Sequence, residues 1–345
     1  MRSARCPRGQ SLKLAVFGAG AWGTALAIHA ARRHPTLLWA RDAELAGQMS
    51  RDRLNSRYLP DAQFSASLSV SADLDEACAW LAGSPSVAVI GTPVAGLSPL
   101  LAQLVPRLPP SAAGIAWLCK GIAAGRPRLP HQIAADFLPP GRGAVLAGPS
   151  FAQEVAAGLP VALTVAGGSD LLCRAIIDVC HHGAARIYAS SDPIGVELGG
   201  ALKNVMAIAA GIADGLALGM NARAALITRG LAEMTRLGAA LGARSETFMG
   251  LTGLGDLVLT CTGGLSRNRS VGLALARGED LSAIIAGLGH VAEGVATAPS
   301  ARALAARHGV DMPILEAVCS VLEGRQRPQE AVLALLAREP RREGL

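Results

Sequence analysis

An α/β chain, with a doubly wound parallel sheet in its first half and an all-helical second domain, is what the sequence predicts from three observations. Short strand-like runs recur through the first half: Leu14–Phe17, Thr36–Trp39, Val87–Ile90, Gly114–Leu118, Gly143–Leu146, Ala162–Val165 and Arg186–Tyr188. Ala/Leu patterns of helical period, such as Gly96–Val105, lie between several of them. After about Ser190 the strand signal stops, and the pattern stays helical to Leu336. The expected division is residues 1–11 as a flexible N-terminal extension, 12–190 as the sheet domain and 191–338 as the helical domain.

The first strand leads into Gly18, Gly20 and Gly23, in G-x-G-x-x-G spacing, and an Ala-rich helical pattern follows at once. Gly18 permits a tight strand-to-helix turn, Gly20 lets the backbone approach a pyrophosphate, and Gly23 lets the helix pack on the strand. The free N–H groups and positive dipole end of that helix then meet the phosphates. Strand before and helix after make this a dinucleotide-binding turn, and the first half a Rossmann-type domain. The bland alternative is a Gly-rich turn without a ligand.

In such a domain ligands meet the carboxyl ends of the strands. Three loops leave those ends: Gly91-Thr92-Pro93, Cys119-Lys120-Gly121 and Ala147-Gly148-Pro149-Ser150. At the end of the second strand, Trp39-Ala40-Arg41-Asp42 stands where the adenosine ribose is met. Arg41 either stacks on adenine and pairs with a 2′-phosphate or is a solvated loop arginine; Asp42 alternatively caps a helix. Both NAD(H) and NADP(H) stay open as cofactors, with Arg41 leaning toward NADP(H).

The helical domain opens with Asp192-Pro193, a cap residue followed by proline at the first helical position. Lys203-Asn204 then falls inside an apolar, small-residue helix with Gly199, Gly200 and Ala201. A desolvated lysine there has a lowered pKa and exchanges protons near neutral pH; the alternative is a lysine snorkelling to the surface. Asp256 follows a flexible Gly turn at Gly253–Gly255 and either reaches a buried lysine or caps a helix. After a second turn at Gly263-Gly264, Ser266-Arg267-Asn268-Arg269 opens another helix, either as a phosphate site or as a plain solvated start.

Composition narrows the function classes. The net charge of +6 suits an anionic substrate but is spread too thinly for a nucleic-acid footprint. The seven cysteines form no C-x-x-C pair and leave an odd one over, so a reducing, cytoplasmic setting is expected. MRSARCPRGQ lacks the apolar stretch of a signal peptide, and Val205–Met220, broken by Asp214 and glycines, reads as a buried helix rather than a membrane span. His181-His182 lacks further metal-ligand spacing, and no metal is expected.

GAGAWGTALA, LCKG, AGPSFAQEVAAGLP, IGVELGGALKNVMAIAAGIADG, NARAALITRGLAEMTRLGAALGA, TFMGLTGLGDLVLTCT, SRNR and VAEG occur in that order from about Leu12 to about Leu336. In these blocks the chain resembles the bacterial enzymes of the NAD-dependent glycerol-3-phosphate dehydrogenase family. That resemblance implies reduction of dihydroxyacetone phosphate to sn-glycerol 3-phosphate with NAD(P)H, feeding phospholipid synthesis, in a homodimer. It implies Lys203 as proton donor and acceptor, and Lys120 as a lysine shared by substrate and cofactor. It further implies substrate contacts from Gly148, Ser150, Asp256, Ser266, Arg267 and Asn268. The cofactor contacts it implies are Ala21, Trp22, Arg41, Tyr58, Ala152, Arg267, Val291 and Glu293, beside the glycines of the turn.

The chain departs from the family pattern in about ten extra N-terminal residues, in GTPVAG for the usual V-P-S-type loop, and in Gly263-Gly264 where polar residues are common. Two rivals to the resemblance are a Rossmann dehydrogenase acting on a 3-hydroxy acid and a non-catalytic dinucleotide-sensing protein.

Overall fold

The computed structural model describes residues 12–288 and 292–338, so the expected extension 1–11 and Val291 lie outside the described residues. The strands are β1 (Lys13–Phe17), β2 (Thr36–Trp39), β3 (Leu54–Asn55), β4 (Leu59–Gln63), β5 (Leu68–Ser71), β6 (Ser86–Ile90), β7 (Ala112–Trp117), β8 (Gly143–Ala147), β9 (Val161–Gly167) and β10 (Ala185–Ser190). Between them run α1 (Ala21–Ala30), α2 (Ala43–Asp52), α3 (Leu74–Trp80), α4 (Val94–Leu104), α5 (Pro130–Ala134), α6 (Ala152–Ala157) and α7 (Asp170–Cys180).

Eight strands form one sheet in the order β10-β9-β8-β7-β6-β1-β2-β5. Alternation along the strands gives the sheet two apolar faces, because successive side chains point to opposite sides. Leu14 and Val16 join one buried cluster with α1, α2, α6 and α7. Ala15 and Phe17 join the other, with α3, α4 and α5. Helices on both faces are what an apolar parallel sheet requires.

Two features differ from the sequence reading. The sheet is mixed, because β9 runs antiparallel to β8 and β10 follows β9 in direction. The physical reason lies in the connection: α6 has six residues and does not cross the length of the sheet, so the chain re-enters at the edge it left. The second difference is β3, β4 and β5, which the sequence reading lacks. β4 reads Leu-Pro-Asp-Ala-Gln and is mostly exposed, so it carries no apolar alternation to detect.

Beyond β10 the described chain is helical: α8 (Pro193–Gly215), α9 (Gly219–Ala240), α10 (Ser245–Phe248), α11 (Asp256–Thr262), α12 (Arg267–Ala276), α13 (Leu281–Leu288), α14 (Glu293–Arg307), α15 (Pro313–Leu322) and α16 (Pro328–Leu336). Asp192 caps α8, its carboxylate accepting from Gly195 N–H, with Pro193 at the first position. α8 is the centre of this part of the molecule, buried from Gly195 to Ala213. By length and composition it is also the one unbroken described helix that qualifies as a bilayer span, and the protein encloses it. The apolar stretch expected over Val205–Met220 is not one helix: α8 stops at Gly215, and Ala217 takes a left-handed φ of 56° before α9.

α12 lies directly on α8. A Cβ at Gly211 would come within 2.1 Å of the Arg269 carbonyl oxygen, and one at Gly272 within 2.1 Å of that of Ile208. Only glycine allows this approach, which brings Asn268 to the side of Asn204.

A histidine cluster ties α1 to α7. His182 stacks on His29 with ring centroids 4.1 Å apart, and His34 lies at 6.2 Å. Burial lowers all three pKa values, that of His182 to about 4, with His29, His34, Arg33 and Arg32 adding repulsion. Near pH 6.5 and below, the unfolded chain binds protons that the native cluster refuses, so stability falls as pH drops toward 4. His182→Leu should flatten this acid-side loss by up to ~3 kcal/mol, read as a shallower fall of the urea midpoint between about pH 6.5 and 4. An unchanged slope would assign the acid sensitivity to other groups.

Candidate active site

The carboxyl ends of β1, β6, β7 and β8 lie side by side, and the site is built from the loops that leave them. The turn after β1 puts Gly18 at φ 124°, where a Cβ would meet Gly91 carbonyl carbon at 2.9 Å. A Cβ at Gly23 would sit 2.1 Å from the Gly18 carbonyl oxygen, so α1 packs against its own turn. Gly20 is the cap of α1 and has no side chain to satisfy the first-turn amides; the first helical bond is Thr24 N–H to Gly20 C=O. Ala21 and Trp22 open the helix behind it. Asn55 on β3 braces the turn, donating to Ala19 C=O at 2.9 Å and to Thr24 Oγ1 at 2.8 Å.

These residues fit a dinucleotide. The N-terminus of α1, without a side-chain cap, suits an anion, and Trp22 Nε1 and Thr92 Oγ1 are buried nearby without a hydrogen-bond partner among the described residues. Arg41 is exposed just beyond β2, while Asp42 is the cap of α2, accepting from Glu44 and Leu45 N–H. Tyr58 is partly buried between β3 and β4, with Arg57 over its ring at 5.2 Å. Ala152 is the first residue of α6.

Asp256 holds the centre. It is fully buried, at 0% exposure, and both of its oxygens are taken by lysines. Lys203 Nζ from the middle of α8 donates to Oδ1, and Lys120 Nζ from the loop after β7 donates to Oδ2 at 2.9 Å. Lys120 also donates to Gly148 C=O at 3.1 Å, and Ser150 Oγ donates to the same oxygen at 3.1 Å. Lys203 reaches Thr260 Oγ1 at 2.9 Å, whose own proton goes to Asp256 C=O at 2.6 Å.

Burial lowers the Lys203 pKa to about 8, with Lys120 pushing the same way and Asp256 opposing. Asp256 is not a helix cap: it is the first residue of α11, and the expected flexible Gly turn before it is a π-helical turn over Leu251–Gly255. Nor does Lys203 snorkel; it is 6% exposed.

A second polar group adjoins the lysines. Asn268 donates to Asn204 Oδ1 at 2.9 Å and accepts from Gly294 N–H at 2.9 Å. Asn204 Nδ2 lies 3.5 Å from Glu293 Oε2. Burial raises the Glu293 pKa, opposed by the nearby charges of Lys120, Arg267 and Lys203. Ser266 caps α12 through Arg269 N–H at 3.3 Å, and Arg267 is exposed at the helix start. Arg269 turns away to Asp214, at 2.7 Å, and does not join the site.

The sequence reading named neither Thr260 nor Asn55 among the site residues. Thr260 was detectable, since it follows Asp256 by four residues and so shares its helix face. Asn55 had no local signal for this role, because the turn residues it donates to lie more than thirty residues away.

Family models match almost the whole chain: residues 13–171 fit NAD-dependent glycerol-3-phosphate dehydrogenase N-terminus, and residues 192–333 fit the C-terminus of the same family. A glycerol-3-phosphate dehydrogenase [NAD(P)+] from Methylibium petroleiphilum is 54% identical over 96% of this chain and 99% of that protein. The crystal structure of a glycerol-3-phosphate dehydrogenase from Coxiella burnetii is 41% identical, with a TM-score of 0.89 over 95% of this chain and 99% of the other. The corresponding yeast structure, from Saccharomyces cerevisiae, has 25% identity and a TM-score of 0.78 over 93% and 98%.

Asp256→Asn should cost about 3–5 kcal/mol of stability in urea unfolding at neutral pH, because it leaves two buried ammonium groups facing each other. A loss below about 1 kcal/mol would mean the two lysines are solvated rather than held by this carboxylate.

Proposed function

The chain belongs to the NAD-dependent glycerol-3-phosphate dehydrogenase family, and from that premise we propose that it interconverts dihydroxyacetone phosphate and sn-glycerol 3-phosphate with Lys203 as the acid and base. One observation carries the assignment of Lys203: a buried ammonium with its pKa lowered to about 8 shares one carboxylate with a second lysine at the carboxyl edge of the sheet.

NAD(P)H, when bound, supplies the hydride that reduces the carbonyl carbon. The chain's task is to hold the substrate and to protonate its oxygen. Lys203 Nζ gives a proton to the developing alkoxide; in the reverse direction the neutral amine takes it from the alcohol. A pKa near 8 keeps Lys203 mostly protonated at neutral pH and still able to release the proton. Asp256 and Thr260 fix the ammonium in place, so the donor is aimed before the substrate arrives. The Lys120 ammonium adds positive charge where negative charge develops.

Gly148, Ser150, Ser266, Arg267 and Asn268 are proposed to bind the substrate with Lys120, Lys203 and Asp256. The helix start at Ser266, with the Arg267 guanidinium, suits a phosphate held away from the reacting carbon. Gly18, Gly20, Ala21, Trp22, Gly23, Arg41, Tyr58, Lys120, Ala152, Arg267 and Glu293 are proposed for the cofactor, as is Val291 outside the described residues. The working division is residues 12–190 for cofactor binding and 191–338 for substrate and catalysis. A cytoplasmic homodimer supplying glycerol 3-phosphate for phospholipids is the setting proposed, on the family resemblance and the free buried cysteines.

Lys203→Ala should lower kcat by about 10²–10⁴ while NAD(P)H affinity, read by fluorescence titration, stays within about twofold. Lys203→Arg should not restore it, since a guanidinium does not release its proton near neutral pH. Dihydroxyacetone without its phosphate should fall more than about tenfold in kcat/KM. A folded Lys203→Ala variant with more than about a tenth of wild-type kcat would move the acid elsewhere.

A further inference from the structure

Glu197 is a buried carboxylate, 3% exposed, that the mechanism above does not use. It sits six residues before Lys203 on α8, and its partners come from the sheet domain. Trp117 Nε1, at the last position of β7, donates to Oε1 at 2.8 Å. His131 at the start of α5 is bound twice: its backbone N–H lies 2.9 Å from Oε1, and its Nδ1 lies 2.6 Å from Oε2.

The spacing gives these contacts a direction. Glu197, Gly200 and Lys203 recur at every third residue, a row that rises in steps of about 4.5 Å and winds by about 60° per step around α8. Trp117 and Lys120 are likewise three residues apart on the chain leaving β7. The two rows lie against each other. Glu197 holds Trp117, a Cβ at Gly200 would lie 3.5 Å from Lys120 Cγ, and Lys203 meets Lys120 across Asp256. A shift of α8 against β7 by a fraction of one step would take Lys203 away from the carboxylate that Lys120 shares.

We propose that Glu197 is a positioning residue for the reaction: by bonding Trp117 and His131 it fixes α8 along β7 and α5, so that Lys203 and Lys120 meet on Asp256. The proposal rests on the reading of Lys203 as the acid. The glycine approaches at Gly199 and Gly211 fix α8 against the Leu251–Gly255 turn and α12, while its placement against β7 and α5 is carried by the directed hydrogen bonds of Glu197.

Glu197→Ala and Trp117→Phe test it, the second removing one donor and keeping the ring. Each is measured for melting temperature, NAD(P)H affinity, and kcat against pH in the direction of carbonyl reduction. In Glu197→Ala, kcat should fall at least tenfold with NAD(P)H affinity within about twofold. The alkaline limb should move up from about 8 toward the ~10.4 of a free lysine, as Lys203 leaves its buried position. Trp117→Phe should shift both in the same direction by less.

A folded Glu197→Ala variant with wild-type kcat, or with lowered kcat and an unmoved limb, overturns the proposal. If that variant does not fold, the limb of Trp117→Phe decides alone. Lys203→Ala, assayed beside them, separates the two readings: if it stays inactive while Glu197→Ala is normal, only the role of Glu197 falls.

Discussion

One carboxylate with two ammonium groups on it is the constraint around which the molecule is arranged. Asp256 is sealed from solvent, and its two oxygens are the carboxylate partner of both buried lysines. The three residues come from three separated parts of the chain: Lys120 from the loop after β7, Lys203 from α8, and Asp256 from α11. No local preference brings them together. Their meeting needs the sheet, the central helix and the helices packed on it to be correctly placed at once, so the site is a reporter on the whole fold.

The surrounding structure serves that placement. α8 is enclosed along nearly its full length, which makes its apolar face a source of stability and its one lysine a group with a shifted pKa. Glycines at the α8–α12 crossing bring the asparagine pair and Glu293 up to the same place. On the other side, the Gly18 turn leaves the start of α1 without a side-chain cap, and the loops after β6, β7 and β8 stand beside it. On the proposed reading, the same carboxyl edge presents a helix end suited to the cofactor's phosphates and an ammonium placed to protonate the carbonyl oxygen.

Much of this was legible in the sequence, for physical reasons that differ by element. β1 and β2 were plain because fully buried strands are short apolar runs bounded by turns. The turn at Gly18–Gly23 was plain because backbone crowding leaves only glycine there. β9 was recognisable as a strand, but its direction was not, since direction depends on how far α6 reaches. β4 was invisible because a mostly exposed strand carries no apolar pattern, and β3 and β5, at two and four residues, are too short to show one.

At the site, Lys203 stood out as a charge in an apolar helix, and Asp256 was ambiguous between cap and ion pair until its partners were seen. Arg269 looked like part of the phosphate cluster; a carboxylate fifty-five residues away, Asp214, takes it instead.

The most direct test of the account is the titration of Lys203 itself, followed by NMR of the protein with 13C-labelled lysine and assigned with Lys203→Ala. The account predicts one lysine signal titrating near 8, set by burial against the pull of Asp256. If every lysine signal titrates above about 10, as free lysines do, then Lys203 is not held in the desolvated position on which the proton transfer depends.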